Sequence, residues 1–250
     1  MVGQQWWGRI RSIQVTTRLC RWLDGVQVSG EVVFAYRGGP LLYWDATTGT
    51  AVRAQIVDTT NFPTSSDVPT VVNYSFVSDI SRFVFAFGAN ALGASLIDPM
   101  LIRWSDQESF VNWTPDAANQ AGSLRLSHGT EIVTATQARQ EILVWSDSAL
   151  YSLQYLGSPD VWGAQLLGNN ISIAGQNATA YAAGVAFWMG RDKFYTYDGT
   201  VSPLPSNVRR YVFSDINSSQ YAQVCAGTNE GFNEIWWFYC SSGATTNDRY

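Results

Sequence analysis

The chain has 250 residues with 15 Lys and Arg against 20 Asp and Glu, a formal net charge of −5 that argues against a basic nucleic-acid groove. Only 14% of residues are charged and 14% are aromatic, with 11 Trp and 12 Tyr. That balance excludes a disordered chain and suits a packed β core or large subunit contacts.

Residues 1–30 carry Arg9, Arg11, Arg18 and Arg21, the most basic stretch, and Trp22-Leu-Asp-Gly25 is a turn signal. This region is expected to be an N-terminal arm or edge strands, and residues 31–250 a β-propeller-like domain. Glu31 to Tyr36 reads as a strand, Arg37-Gly-Gly-Pro40 as a turn and Leu41 to Trp44 as a second strand. Asp45-Ala-Thr-Thr-Gly49 closes it, because Asp can cap its own turn and Gly accepts positive φ. Asn61 to Pro69 is a polar loop. Val71 to Val77 and Arg82 to Phe87 are strands, with Gly88 to Gly93 as the loop that follows. Leu101-Ile-Arg-Trp-Ser-Asp106 ends the next strand, and Leu143-Val-Trp-Ser-Asp147 echoes it.

The organising stretch runs from Arg139 to Asp198. Ile142 to Trp145 and Leu150 to Tyr155 are apolar strands punctuated by Ser146-Asp147-Ser148. The same phrase returns from Gly184 to Gly199, with Met189-Gly-Arg-Asp192 at the turn. Self-similarity at roughly 40–50 residues is what repeated four-stranded units produce. Val208, Tyr211 and Val212 at i, i+3 and i+4 predict a helix within Asn207 to Ile216. Glu234 to Cys240 is almost wholly apolar, as in a strand buried on both faces. A ring of blades would want a further partner strand after Tyr250, so the chain is expected to be part of a longer protein.

Chemistry-bearing residues are sparse. His128 is the single histidine, and Ser127-His128-Gly129 reads as a turn without a nucleophile elbow. Cys20, Cys225 and Cys240 lack metal-ligand spacing and are expected to be reduced, buried thiols. Gly88 to Gly93 is no phosphate loop, since it lacks the intervening glycine and a following helix. Asp106, Glu108 and Asp147 could be weighed as glycosidase carboxylates, but turn capping is the expected role. Trp104 to Trp113 lacks the glycine and spacing of a sialidase Asp-box. The sequons at Asn73, Asn112, Asn170, Asn177 and Asn217 are expected to reflect a composition rich in Asn, Ser and Thr rather than glycosylation. No stretch has signal-peptide character or reaches the roughly 18 apolar residues of a membrane span. A soluble, non-enzymatic protein without cofactor, metal, catalytic residues or membrane insertion is the expectation.

Three stretches carry a family likeness. Pro99 to Pro115 with Asn119 to Ser127, Gln140 to Tyr155, and Gly227 to Cys240 together resemble the tail nozzle, or tail-hub and packaged-DNA-stabilisation, proteins of short-tailed bacteriophages. The likeness spans roughly residues 80–250. It implies a propeller-bearing virion subunit, made in the bacterial host cytoplasm and assembled as a homo-oligomer, a hexameric ring. Such a ring would extend the tail tube, contact the tail adaptor or tube protein and tail fibres or needle, retain the genome, and pass double-stranded DNA without sequence preference. The alternative is a β-propeller module that binds a ligand or glycan through exposed Trp and Tyr.

Overall fold

The computed structural model describes residues 13–14, 18–23, 26–49, 51–78, 81–229 and 231–250, with side chains from Val32 onward apart from Ala46. Arg9, Arg11, the Asp24-Gly25 turn and the Cys20 side chain therefore lie outside the described residues. The chain separates into two compact units at Ser127/His128.

The first unit opens with a five-stranded antiparallel sheet of β1 (Ile13–Gln14), β2 (Arg18–Leu23), β3 (Val26–Tyr36), β4 (Leu41–Asp45) and β5 (Gln55–Ile56). β3 is long enough to pair with β2 along its first half and β1 at its end on one edge, while its second half pairs with β4 on the other. The turn after β4 has the expected chemistry. Asp45 Oδ1 accepts from the Thr47 amide at 2.8 Å, and Gly49 takes φ +77°. A backbone bridge from Gly38 and Gly39 to Val72 joins this sheet to the next.

β6 (Val72–Val77), β7 (Val84–Asn90), β8 (Ile97–Trp104) and β9 (Gly122–Arg125) form a four-stranded up-and-down sheet. β7 is buried along its whole length, with Phe85 and Phe87 stacked on Phe76. It runs further than its sequence suggests. Gly88 to Asn90, expected in a loop, continue the strand through a bulge at Gly88, whose φ is +59°. Glycine is required there for two reasons. L-residues rarely adopt that φ, and an added Cβ would sit 2.8 Å from Asn73 Nδ2.

The second unit repeats the plan. β10 (Ile132–Gln137), β11 (Ile142–Ser146), β12 (Ala149–Gly157) and β13 (Val161–Asn169) make one antiparallel sheet. β14 (Thr179–Ala182), β15 (Val185–Met189), β16 (Phe194–Tyr197) and β17 (Val201–Pro203) make the next. The repeated sequence phrase thus fills the second and third strands of two consecutive sheets, β11–β12 and β15–β16. Equivalent tryptophans, Trp145 and Trp188, are fully buried and meet edge to face with centroids 5.4 Å apart. Trp188 also stacks on Tyr195 at 5.2 Å. Burying rings of this size contributes about 1.5–3 kcal/mol each, so this pair is a main tie between successive sheets. The architecture is all-β and β-propeller-like: successive antiparallel sheets, three of them four-stranded and up-and-down.

α1 (Arg209–Asp215) falls where the apolar spacing predicts, but it presents a different face. Val212 is buried and Phe213 and Ile216 pack beside it, while Val208 and Tyr211 are 58% and 61% exposed. A 3-10 turn (Ser218–Gln223) leads to the ribbon β18 (Cys225–Asn229) and β19 (Glu234–Phe238). β19 is not buried on both faces as expected. Glu234 and Phe238 are exposed and the three residues between them half-buried, because a two-stranded ribbon can lay only one face on the core.

Candidate functional site

Each residue weighed for chemistry holds a turn. Asp106 Oδ1 accepts from the amides of Gln107 and Gln120, both at 2.9 Å, and so ties the end of β8 to the start of β9. Asp147 accepts from the Thr130 amide and hydroxyl, both at 2.8 Å. Burial pushes the Asp147 carboxyl up, but the bonds from Thr130 and other backbone amides outweigh it and hold the group below the usual range. Glu108 pairs with Arg82 at 2.6 Å, both half-exposed. The serines preceding these aspartates are fully buried. Ser105 Oγ accepts from the Val84 amide at 3.1 Å, and Ser146 Oγ from the Ala149 amide at 2.9 Å. The twice-written Trp-Ser-Asp is therefore a strand-end latch: ring in the core, hydroxyl and carboxylate on strand-end amides.

The His128 amide donates to the Tyr151 hydroxyl oxygen at 2.7 Å, and the same hydroxyl lies 3.1 Å from His128 Nδ1. Cys225 is half-buried and Cys240 buried. Burial first, then the charge of Asp248, pushes the Cys240 thiol up, which keeps it protonated. Among the described residues, no three His, Cys, Asp or Glu side chains gather as a metal site would require, and no helix is long and apolar enough to cross a membrane.

The structure adds a feature that the sequence reading missed, a groove of about 400 Å³ in the second unit. Its floor is Met189, Phe194, Leu204 and Val212, brought together by the β15–β16 turn, the end of the β14–β17 sheet and α1. Its wall is Ile235 and Trp237 of β19. Trp237 is fixed from behind, with its Nε1 donating to the Ala178 carbonyl at 3.0 Å and its ring 5.1 Å from Phe194. At the rim, Tyr250 stacks on Trp236 at 4.9 Å and 23°, and Phe238 lies 6.5 Å from Trp236. Glu234, the charged residue of the lining, accepts from Trp236 Nε1 at 3.0 Å. Buried Tyr239 closes the end, and that burial, reinforced by Asp215, raises its hydroxyl pKa. A groove of this kind can stack a flat apolar face on Trp236 and receive one apolar group below it. The sequence signal for it was Glu234 itself: an acidic residue at the head of an aromatic strand is out of place in a strand covered on both sides.

No family model and no curated protein matches the chain. Among solved structures, it is similar to Hsv2 of Kluyvelomyces marxianus at 9% identity and a TM-score of 0.42. That alignment covers 84% of this chain and 59% of the other, so the chain spans well under two thirds of Hsv2's length. It is also similar to the computationally designed Ika8 protein at 10% identity and a TM-score of 0.37, over 94% of this chain and 74% of that one.

Proposed function

We propose that the chain is a structural subunit of the tail of a short-tailed bacteriophage, a nozzle or hub element whose work is mechanical. What supports this reading is the use of the residues that carry the family likeness. Trp104, Ser105, Asp106, Trp145, Ser146 and Asp147 are spent on locking strand ends to one another. A wall element must resist load without reacting, and blades joined by fully buried rings such as Trp145 and Trp188 provide that stiffness. Few charges and exposed Tyr155, Leu156, Leu92 and Leu96 suit lasting contacts with further subunits. In this reading, copies of the chain close a ring through one repeated interface. The test is negative-stain imaging of the purified protein together with sedimentation against phage tails. Rings of constant copy number that travel with tails are the expected result. A monomer that never joins tails overturns it.

A second reading is favoured by the groove: a propeller-like module that binds a ligand or glycan. Stacked Trp236 and Tyr250 beside a carboxylate form the kind of surface on which a sugar face packs. Saturable quenching of tryptophan fluorescence by oligosaccharides, lost in Trp236→Ala, would establish it. A flat titration across a glycan panel would dismiss it.

A further inference from the structure

Carboxylates outnumber cations in this chain by 20 to 15, and Arg82, Arg103, Arg125, Lys193 and Arg249 each pair with one. Arg191, Arg209 and Arg210 do not. Among the described residues, no carboxylate meets their guanidinium groups, and Arg191 and Arg210 direct theirs to no acceptor at all. The fold sets these three side by side, since Arg209 Nε donates to the carbonyl of Asp192 in the β15–β16 turn at 2.9 Å. Cations gathered without counter-charge raise the local potential and draw an anion, even on a protein of net negative charge.

A second hollow, of about 540 Å³, lies at this place. Asp192, Ser206, Asn207, Arg209 and Arg210 line it. The bond to Asp192 steadies Arg209 and leaves both of its Nη groups for a ligand. The Ser206 hydroxyl and the Asn207 amide make no side-chain hydrogen bond among the described residues. Ser214, also in the lining, is spent on the Tyr211 carbonyl at 3.0 Å. Asp192 is the carboxylate of the lining, and Lys193 Nζ, 3.4 Å away, offsets it. Asp215, the next carboxylate along α1, is taken by Arg249.

The donor set selects among anions. A guanidinium fork grips two oxygens at once. A carboxylate or a phosphodiester has two free oxygens and one charge, fewer than two forks, a hydroxyl and an amide can use. A phosphomonoester offers three oxygens and about two negative charges at neutral pH. The hollow is roomier than a phosphoryl group needs and falls in the range of small-molecule sites, roughly 300–1,000 Å³. Ser206 also lines the apolar groove, so the remainder of an ester has a way into it.

We infer that this hollow binds the terminal phosphate of a small phosphomonoester. Arg209 and Arg210 fork its oxygens, Ser206 and Asn207 donate to what the forks leave, and the organic part lies over Ser206 toward the groove. This goes beyond both readings above and depends on neither.

The test is calorimetric titration of the whole chain with phenyl phosphate, inorganic phosphate, dimethyl phosphate and phenol. Phenyl phosphate should bind at one site, more tightly than inorganic phosphate, and added salt should weaken both because the forks are exposed. Arg210→Gln removes a guanidinium with no partner in the fold, so its thermal midpoint should match the parent while affinity falls roughly tenfold to a hundredfold. Arg53→Gln takes the same charge from another exposed and unpaired position, in the first unit, and should leave affinity unchanged. Failure of both phosphates to saturate, binding that survives Arg209→Gln and Arg210→Gln, or an equal loss in Arg53→Gln would overturn the proposal. Dimethyl phosphate bound as tightly as phenyl phosphate would overturn it in favour of a nucleic-acid backbone. Phenol bound as tightly would overturn it in favour of the apolar groove alone.

Discussion

Arg103→Met tests the physical reasoning most sharply. Arg103 points from β8 into the first unit, with 2% of its side chain exposed. Its Nη2 reaches Asp67 Oδ2 at 2.7 Å and the Asp67 carbonyl at 2.8 Å, and its Nη1 the Asn90 carbonyl at 3.2 Å. Its guanidinium lies 6.0 Å from the centre of the fully buried Trp113 ring. Burial lowers the Arg103 pKa and Asp67 partly restores it, so the cation is held at a cost that its partners must offset. Methionine fills much of the volume and supplies none of the bonds. Asp67 is 27% exposed on its side chain, so water can recover part of its loss. The Asn90 carbonyl, on a residue 2% exposed, has no such recourse. Breaking one side of a buried pair costs about 3–5 kcal/mol, and here the partial hydration of Asp67 places the expected loss near the lower end, at about 3 kcal/mol. Asp67 also sits at φ +45°, a conformation that Arg103 helps to hold, so the Asp67 loop should loosen with it. Urea unfolding followed by tryptophan fluorescence should show an earlier transition for the first unit. In a double-mutant cycle with Asp67→Asn, the two changes should couple by about 1–3 kcal/mol. A loss below about 1 kcal/mol, or additive single effects, would refute the account of Arg103 as the buried tie of this sheet.

Other expectations follow from single groups. Asp147 has its folded pKa held below 3.8, so its contribution to stability is present above that value and is lost as pH falls through the folded pKa. Asp147→Asn should therefore flatten the acid limb of the stability profile, measured by urea midpoints across pH. Tyr197 is pushed up to about 12, first by burial and then by its bond to Glu141, which also bonds Ser152 of β12. Its contribution is complete below pH 10 and fades as pH rises through 12, so Tyr197→Phe should be less sensitive to alkali than the parent in the same assay. Gly88→Ala should cost about 1–3 kcal/mol, since it adds a Cβ at positive φ against Asn73 and disturbs the β7 bulge. Thermal melts would check it, and an unchanged midpoint would mean that the bulge can relax.

Much of the blade plan is legible in the residues themselves. The apolar run of Ile142 to Trp145, the Ser-Asp turn and the aromatic return to Tyr155 are local signals, and their recurrence from Gly184 marks the repeat without reference to partners. The turn of Asp45 to Gly49 is equally local, because Asp caps and Gly bends within a few bonds of themselves. The strand-end role of Asp106 and Asp147 follows from the same short-range chemistry. Trp104-Ser-Asp and Trp145-Ser-Asp, alike in sequence, sit at different strands of their sheets. The first closes the third strand of its sheet and the second closes the second strand of its own, since the latch serves any strand end.

What neither spacing nor composition could supply are contacts whose partners meet only after the registers of several strands have accumulated. Asp67 and Arg103 are separated by a loop and two full strands, and nothing near either residue names the other. Trp145 and Trp188 are recognisable as equivalents by sequence, yet their edge-to-face meeting depends on how one sheet lies on the next. The exposure of Glu234 to Phe238 is decided in the same way. The hydrophobicity of the strand is intrinsic, but which of its edges is paired and which faces the groove depends on what β14, α1 and Arg249 place around it. Local sequence fixes the pleat, the turns and the repeat because those energies act within a few residues. Burial and the pairing of distant charges are collective, and so they belong to the tertiary structure.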